Sequence, residues 1–366
     1  MTVRRAGLTA FLAVVLAAVA VPLGSLEVTN GVVKLTLHEG IGRFSLAGLA
    51  QGKGGTSTPL LVAQDPRSSM VSLLVADRVI RLGESSDFLE RAEKTDTGAR
   101  FTWSSKQLVV TETFSFIGAP DSDVASGLRI DLAVKNVSDR DLTAGVRYLF
   151  DTWLGEASSL HFRTDKVAGL THELTVTKGE RPAYWVSPLA DGPEGFGLQC
   201  MLTGEGITEP DRVVFANWKR LSDAAWSYTT SAARTFSQAP FSMNDSAVGQ
   251  YYDPRPIPRG QSLVVTLALG RASPAGLTLK KPVTQLAAAA APQAPPVTAA
   301  VTPPAASAPA VDPLARIRTD LADLNALLRK IDLLLAATSG IGAEELSVLE
   351  QALAALKERT SLYGRE

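Results

Sequence analysis

The chain has 366 residues, 45% of them hydrophobic and 20% charged, which is enough apolar material for one large core or two ordinary ones and too much for a disordered protein. Its 36 Lys and Arg balance 37 Asp and Glu to a net charge of −1, so no basic stripe is available for a phosphate backbone and no nucleic-acid partner is expected. A single cysteine, Cys200, excludes an internal disulfide, and its setting in FGLQCML reads as a buried small hydrophobe rather than a reactive thiol.

Residues 1–25 read as a secretory signal peptide. Arg4 and Arg5 precede an apolar run over 8–23, and Gly24 and Ser25 offer small residues for cleavage. That run is shorter than the roughly 20 residues a membrane-spanning helix needs, so no span is expected after cleavage. Losing the two arginines takes the net charge from −1 to −3. The expected location is the periplasm or the cell exterior.

Over 26–281 the dominant period is two. Val33, Leu35 and Leu37 alternate with Lys34 and Thr36, and Leu128, Ile130, Leu132 and Val134 alternate with Arg129, Asp131 and Lys135. Leu263, Val265, Leu267 and Leu269 repeat the pattern. Further strands are expected over 70–75, 79–82, 88–93, 108–116, 146–154, 174–177, 184–187, 196–202 and 212–218, with turns at 52–55, 118–123, 191–194 and 254–260. No helical period of 10 or more residues interrupts them. This argues against parallel βαβ units and predicts a mainly β fold: a large antiparallel β-sandwich, either one super-sandwich or two packed side by side.

Asp151, Glu156 and His161 fall together at the expected end of one strand. Two carboxyls beside a His have the composition of an acid–base site. Strand-end Asp residues also serve as acceptors in turns, the better fit here, and no catalytic residue is assigned. Arg212, Asn217 and Asp245 read as a polar network holding a long loop, and Trp218 joins them as a ligand candidate. Trp185, Trp218, Trp226, Tyr228, Tyr251 and Tyr252 supply either stacking faces for sugars or core. His38, His161 and His172 show no HxH or HExxH spacing, and neither a glycine-rich phosphate loop nor GxSxG occurs. Neither a metal nor any other cofactor is expected.

Four segments carry a resemblance: EVTNGVVKLTLHEGIGRFSL from Glu27, DTWLGEASSLHF from Asp151, EPDRVVFANWKRL from Glu209, and NDSAVGQYYDPRPIPRGQS from Asn244. In this order they resemble a secreted bacterial β-sandwich domain of envelope and surface proteins, over about residues 27–270. The resemblance implies fold and compartment, since that group has no established activity. Similar domains continue DT.LG into an Asn-Asp-Gly turn, where this chain has Glu156, Ala157, Ser158 and Ser159. No ligand site is carried over.

Residues 282–311 form a Pro/Ala tract without charge or aromatic residue, which reads as a flexible linker. Asp312 and Pro313 then start a helix on which Leu314, Ile317, Leu321, Leu324, Leu328, Ile331 and Leu335 keep alternating spacings of 3 and 4. After a break at Ser339, Gly340 and Gly342, the seam resumes with Leu346, Leu349, Leu353 and Leu356. This predicts an antiparallel α-helical coiled-coil hairpin over 312–366, too small to cover its own apolar surface, that docks another envelope protein or a second copy.

The leading expectation is a non-catalytic exported envelope protein, a β-sandwich scaffold with a tethered docking hairpin. The alternative is a carbohydrate-binding or carbohydrate-active sandwich, mutarotase-like or glycosidase-accessory, that uses Asp151, Glu156 and the aromatic residues around Trp218 on a glycan. A purely structural spacer is the third.

Overall fold

The computed structural model describes residues 24–49, 57–156, 160–189 and 196–279. The linker, the hairpin with its seam and most of the signal segment lie outside the described residues. In chain order the strands are β1 Ser25–Asn30, β2 Val33–His38, β3 Arg43–Leu49, β4 Ser57–Pro59, β5 Met70–Val75, β6 Arg78–Arg81, β7 Leu89–Thr95, β8 Gly98–Ser104 and β9 Leu108–Gly118. They continue with β10 Ala125–Asn136, β11 Leu142–Thr152, β12 Arg163–Thr164, β13 Leu174–Thr177, β14 Tyr184–Pro188, β15 Gly197–Met201, β16 Arg212–Asn217, β17 Ser246–Ile257 and β18 Ser262–Arg271. Among the described residues one α-helix, α1, spans Trp218–Asp223.

Every strand pair is antiparallel. The strands form an eight-stranded sheet, β12-β14-β15-β18-β10-β9-β8-β7, a six-stranded sheet, β13-β16-β17-β11-β5-β6, and a four-stranded sheet, β1-β2-β3-β4. The alternation in 128–134 and 263–269 is matched across the ladder, Leu128 facing Leu269 and Leu132 facing Val265. Directly paired residues share a face, so these two apolar rows point the same way.

One continuous core joins all three sheets. Leu35 and Leu46 enter it from the four-stranded sheet, and Phe101, Phe114, Leu128, Ile130 and Leu132 from the eight-stranded sheet. Val146, Phe150, Val213 and Val248 enter it from the six-stranded sheet. The sandwich is therefore a single super-sandwich rather than two bodies, which resolves the alternative left open by the sequence.

The six-stranded sheet is buried on both faces. Along β11, Val146, Tyr148 and Phe150 face the core between the sheets. Leu149 faces the other way, into a second apolar cluster with Met70, Val214, Ala216, Ala247, Tyr251 and Leu221, against which Trp218, Trp226 and Tyr228 pack. The segment that follows β16 thus roofs the outer face of this sheet.

Two local expectations are corrected. The 212–218 strand stops at Asn217, whose side-chain oxygen accepts from the Arg220 N–H at 3.3 Å and caps α1. The turn expected at 254–260 starts later, because β17 continues through Pro254 and Pro256 to Ile257. β16 pairs with β17 only as far as Tyr251, so one side of the Pro-containing stretch has no ladder partner, the setting in which a strand tolerates proline. At the β1–β2 turn, Gly31 has φ +56°, and a Cβ there would collide with the Ala125 backbone.

Candidate functional site

β11 ends where loops 152–156 and 237–245 meet, and this end gathers the carboxyl groups. Asp151 is the last outward-facing position of β11 after Arg147 and Leu149, and only 5% of it is exposed. Its N–H donates to Ser69 Oγ at 3.0 Å, while its Oδ1 is buried with no hydrogen-bond partner among the described residues. Burial pushes the Asp151 carboxyl up to about 8, the Ser68 hydroxyl opposes the rise, and the nearby Asp245, Glu156 and Asp65 carboxylates add to it.

Glu156 is half-buried and is likewise raised, to about 7, first by burial and then by Asp245. Its Oε1 accepts from the Ser246 N–H at 3.0 Å. Asp245 is raised by burial and accepts from Ser242 Oγ at 2.6 Å. Three carboxyls of like charge therefore share a poorly hydrated corner, and protons are held there near neutral pH.

Asn244 ties the corner together from a left-handed backbone, φ +53°. Its Nδ2 donates to the Glu156 carbonyl, and its Oδ1 lies 3.0 Å from His161 Nε2. The His161 ring is buried against Phe236, 4.4 Å between centroids, and burial lowers its pKa to about 4. It is therefore neutral at pH 7, with Nδ1 lacking a hydrogen-bond partner among the described residues.

Asn217 is fully buried and donates to the Phe236 carbonyl, Ser242 Oγ and the Asp245 carbonyl at 2.9, 2.8 and 3.0 Å. It holds the loop that carries Asp245, while Trp218 Nε1 pins the roof to the Ser68 carbonyl at 2.9 Å. Arg212 does not join this network. It lies five residues before Asn217 on β16, an odd separation that puts it on the opposite face, where its guanidinium stacks over Tyr251 at 4.5 Å.

Sequence reasoning missed Asn244, Ser242, Ser246 and the exposed pair Phe241 and Met243, 75% and 62% exposed on the same loop. The available signal was the Asn-Asp dipeptide, a former of turns with positive φ. Cys200 is free and buried, and burial raises its thiol to about 12. Among the described residues no group of His, Cys, Asp and Glu side chains is arranged to hold a metal ion, and no helix is long and apolar enough to cross a membrane.

No protein-family model matches the chain, and no curated protein matches it in sequence. Among solved structures it is similar to a galactose mutarotase-like protein from Lactobacillus casei, at 12% identity over 68% of this chain and 100% of that one, with a TM-score of 0.42. A Synechocystis protein is similar at 10% identity over 68% and 95%, with a TM-score of 0.39. An Escherichia coli protein provisionally named an aldose 1-epimerase is similar at 12% identity over 68% and 98%, with a TM-score of 0.34.

The expectation of a non-enzymatic body is corrected at this point. Burial holds the Asp151 and Glu156 carboxyls, raised to about 8 and about 7, close enough for Glu156 to add to the rise of Asp151, which is the make-up of an acid–base pair rather than of an inert strand end.

Proposed function

We propose that the protein is a carbohydrate-handling sandwich whose site is the Asp151, Glu156 and Asp245 corner. The observation that carries this reading is the buried, unpartnered Asp151 Oδ1 beside the half-buried Glu156, two carboxyls raised to different extents. Such a pair holds one acid and one base in the same pH range, which is what proton transfer at a sugar hydroxyl or anomeric oxygen requires. Phe241 and Met243 support it by offering exposed apolar surface next to these acceptors, as a pyranose face demands. The protein is exported in this reading, on the strength of residues 1–25.

The test is a panel of free aldoses followed by polarimetry for anomer interconversion and by tryptophan fluorescence for binding. Saturable binding or accelerated interconversion by the wild type, reduced in E156Q, supports the reading. No response to any sugar in either measurement overturns it.

A further inference from the structure

A second group of polar side chains lies on the outer face of the six-stranded sheet. The ladder places Arg81 opposite Ser72, Ser72 opposite Arg147, Arg147 opposite Tyr251 and Tyr251 opposite Arg212. Directly opposite residues project from the same face, so five adjacent strands, β6, β5, β11, β17 and β16, present one row with an arginine on every second strand. Arg147 is 1% exposed, and Ser72 and Tyr251 are fully buried.

The row is charged and poorly satisfied. Arg147 Nε and Nη2, Arg212 Nε, Ser72 Oγ and the Tyr251 hydroxyl have no hydrogen-bond partner among the described residues. The Tyr251 hydroxyl lies near enough to the Arg147 guanidinium to favour its charge. Glu84 and Asp253 neutralise only the outer ends, 3.7 Å from Arg81 and 3.6 Å from Arg212. A guanidinium buried with two unmade donors is costly, so its retention calls for an acceptor.

The acceptors it has belong to the last turn of α1 and to the strap that follows it. Arg81 donates to the Ser222 carbonyl at 2.8 Å, Arg147 to the Ala224 and Trp226 carbonyls at 3.0 and 3.1 Å, and Arg212 to Ser227 Oγ at 3.4 Å. Residues 224–230 alternate between half-buried and exposed, the pattern of an extended segment lying on a surface. Their oxygens lie along the row as those of an extended ligand would. At the Arg81 end the strap borders an open groove of about 440 Å³ lined by Arg78, Arg81, Glu84, Ser85, Ser86 and Ala225.

We infer that the row Arg81, Ser72, Arg147, Tyr251 and Arg212 is a binding platform for an acidic polysaccharide, with the strap over 224–228 as its lid. Arginines two strands apart stand about 10 Å from one another. That is wider than the separation of neighbouring phosphates on a nucleic-acid strand, and it suits a polymer with one carboxylate on every second sugar. The Ser72 and Tyr251 hydroxyls between the guanidiniums match the sugar hydroxyls between the acids. The groove at Arg81 is the mouth through which such a chain enters. This platform uses none of the Asp151 corner and stands without it.

The experiment titrates hyaluronan oligosaccharides, in which a uronate alternates with a neutral sugar, into the full chain by calorimetry and tryptophan fluorescence. Neutral dextran and single-stranded DNA serve as comparisons. The expected results are binding of hyaluronan alone, weakening by about tenfold or more in the part-exposed double variant R81Q/R212Q, and tightening in W226A, whose strap has lost its anchor on Tyr251. Thermal melts confirm that each variant is folded at the assay temperature. Absence of hyaluronan binding by both the wild type and W226A overturns the inference, as does equal binding of dextran or DNA, or an unchanged affinity in R81Q/R212Q.

Discussion

Replacing Asp151 by Asn removes a proton site whose energetics follow from its burial. Its carboxyl is raised from an ordinary 3.8 to about 8, so the fold favours the protonated form. A group raised in the folded state contributes stability that is complete below its unfolded pKa and is lost as pH climbs through the folded one. Wild-type stability should therefore fall between about pH 4 and pH 8 through this residue. Each pH unit is worth about 1.36 kcal/mol, so the three units from pH 5 to 8 set a ceiling of about 4 kcal/mol on the part lost between pH 5 and pH 9. Water entry and side-chain rotation relieve part of this, and about 2 kcal/mol is the expected effect. The assay is urea denaturation of wild type and D151N at pH 5 and pH 9. Any fixed cost of a buried amide appears at both values and cancels, so D151N should gain about 2 kcal/mol on the wild type between them. An equal difference at both pH values refutes the reasoning.

Asn217→Ala removes three donated hydrogen bonds and the cap of α1; a loss of about 2–4 kcal/mol by denaturation, with faster proteolysis within 237–245, is expected. Phe114→Ala empties a fully buried site against Phe44, 5.0 Å away, and should cost about 3–5 kcal/mol in the same assay. The His161 ring, lowered to about 4, should remain neutral at pH 5.5 by NMR, and a midpoint above 6 would contradict its placement. Its contribution to stability should be lost as pH falls from about 6.5 to about 4, because a lowered base loses stability from its unfolded pKa down through its folded one. Cys200, buried and raised to about 12, should resist a thiol reagent at pH 8 until denaturant is added, and prompt native labelling would show the core to be open there.

The elements and the class of fold were legible in the chain because alternation is local. Leu128 to Val134 and Leu263 to Leu269 sort their side chains to one face whatever strand lies beside them, and both segments are strands. Local pattern also placed Asp151 and Glu156 near a strand end. What these residues became was set by packing between distant segments. Asp151 is raised because Ser68 and Ser69, more than 80 residues earlier in the chain, and the 237–245 loop, more than 80 later, close over it. Three arginines at 81, 147 and 212 form one row because β6, β5, β11, β17 and β16 stand side by side, an order set by long connections between segments. Period two tells which face a residue takes, but burial and charge pairing depend on which distant segment covers that face, and a one-dimensional pattern does not contain that information.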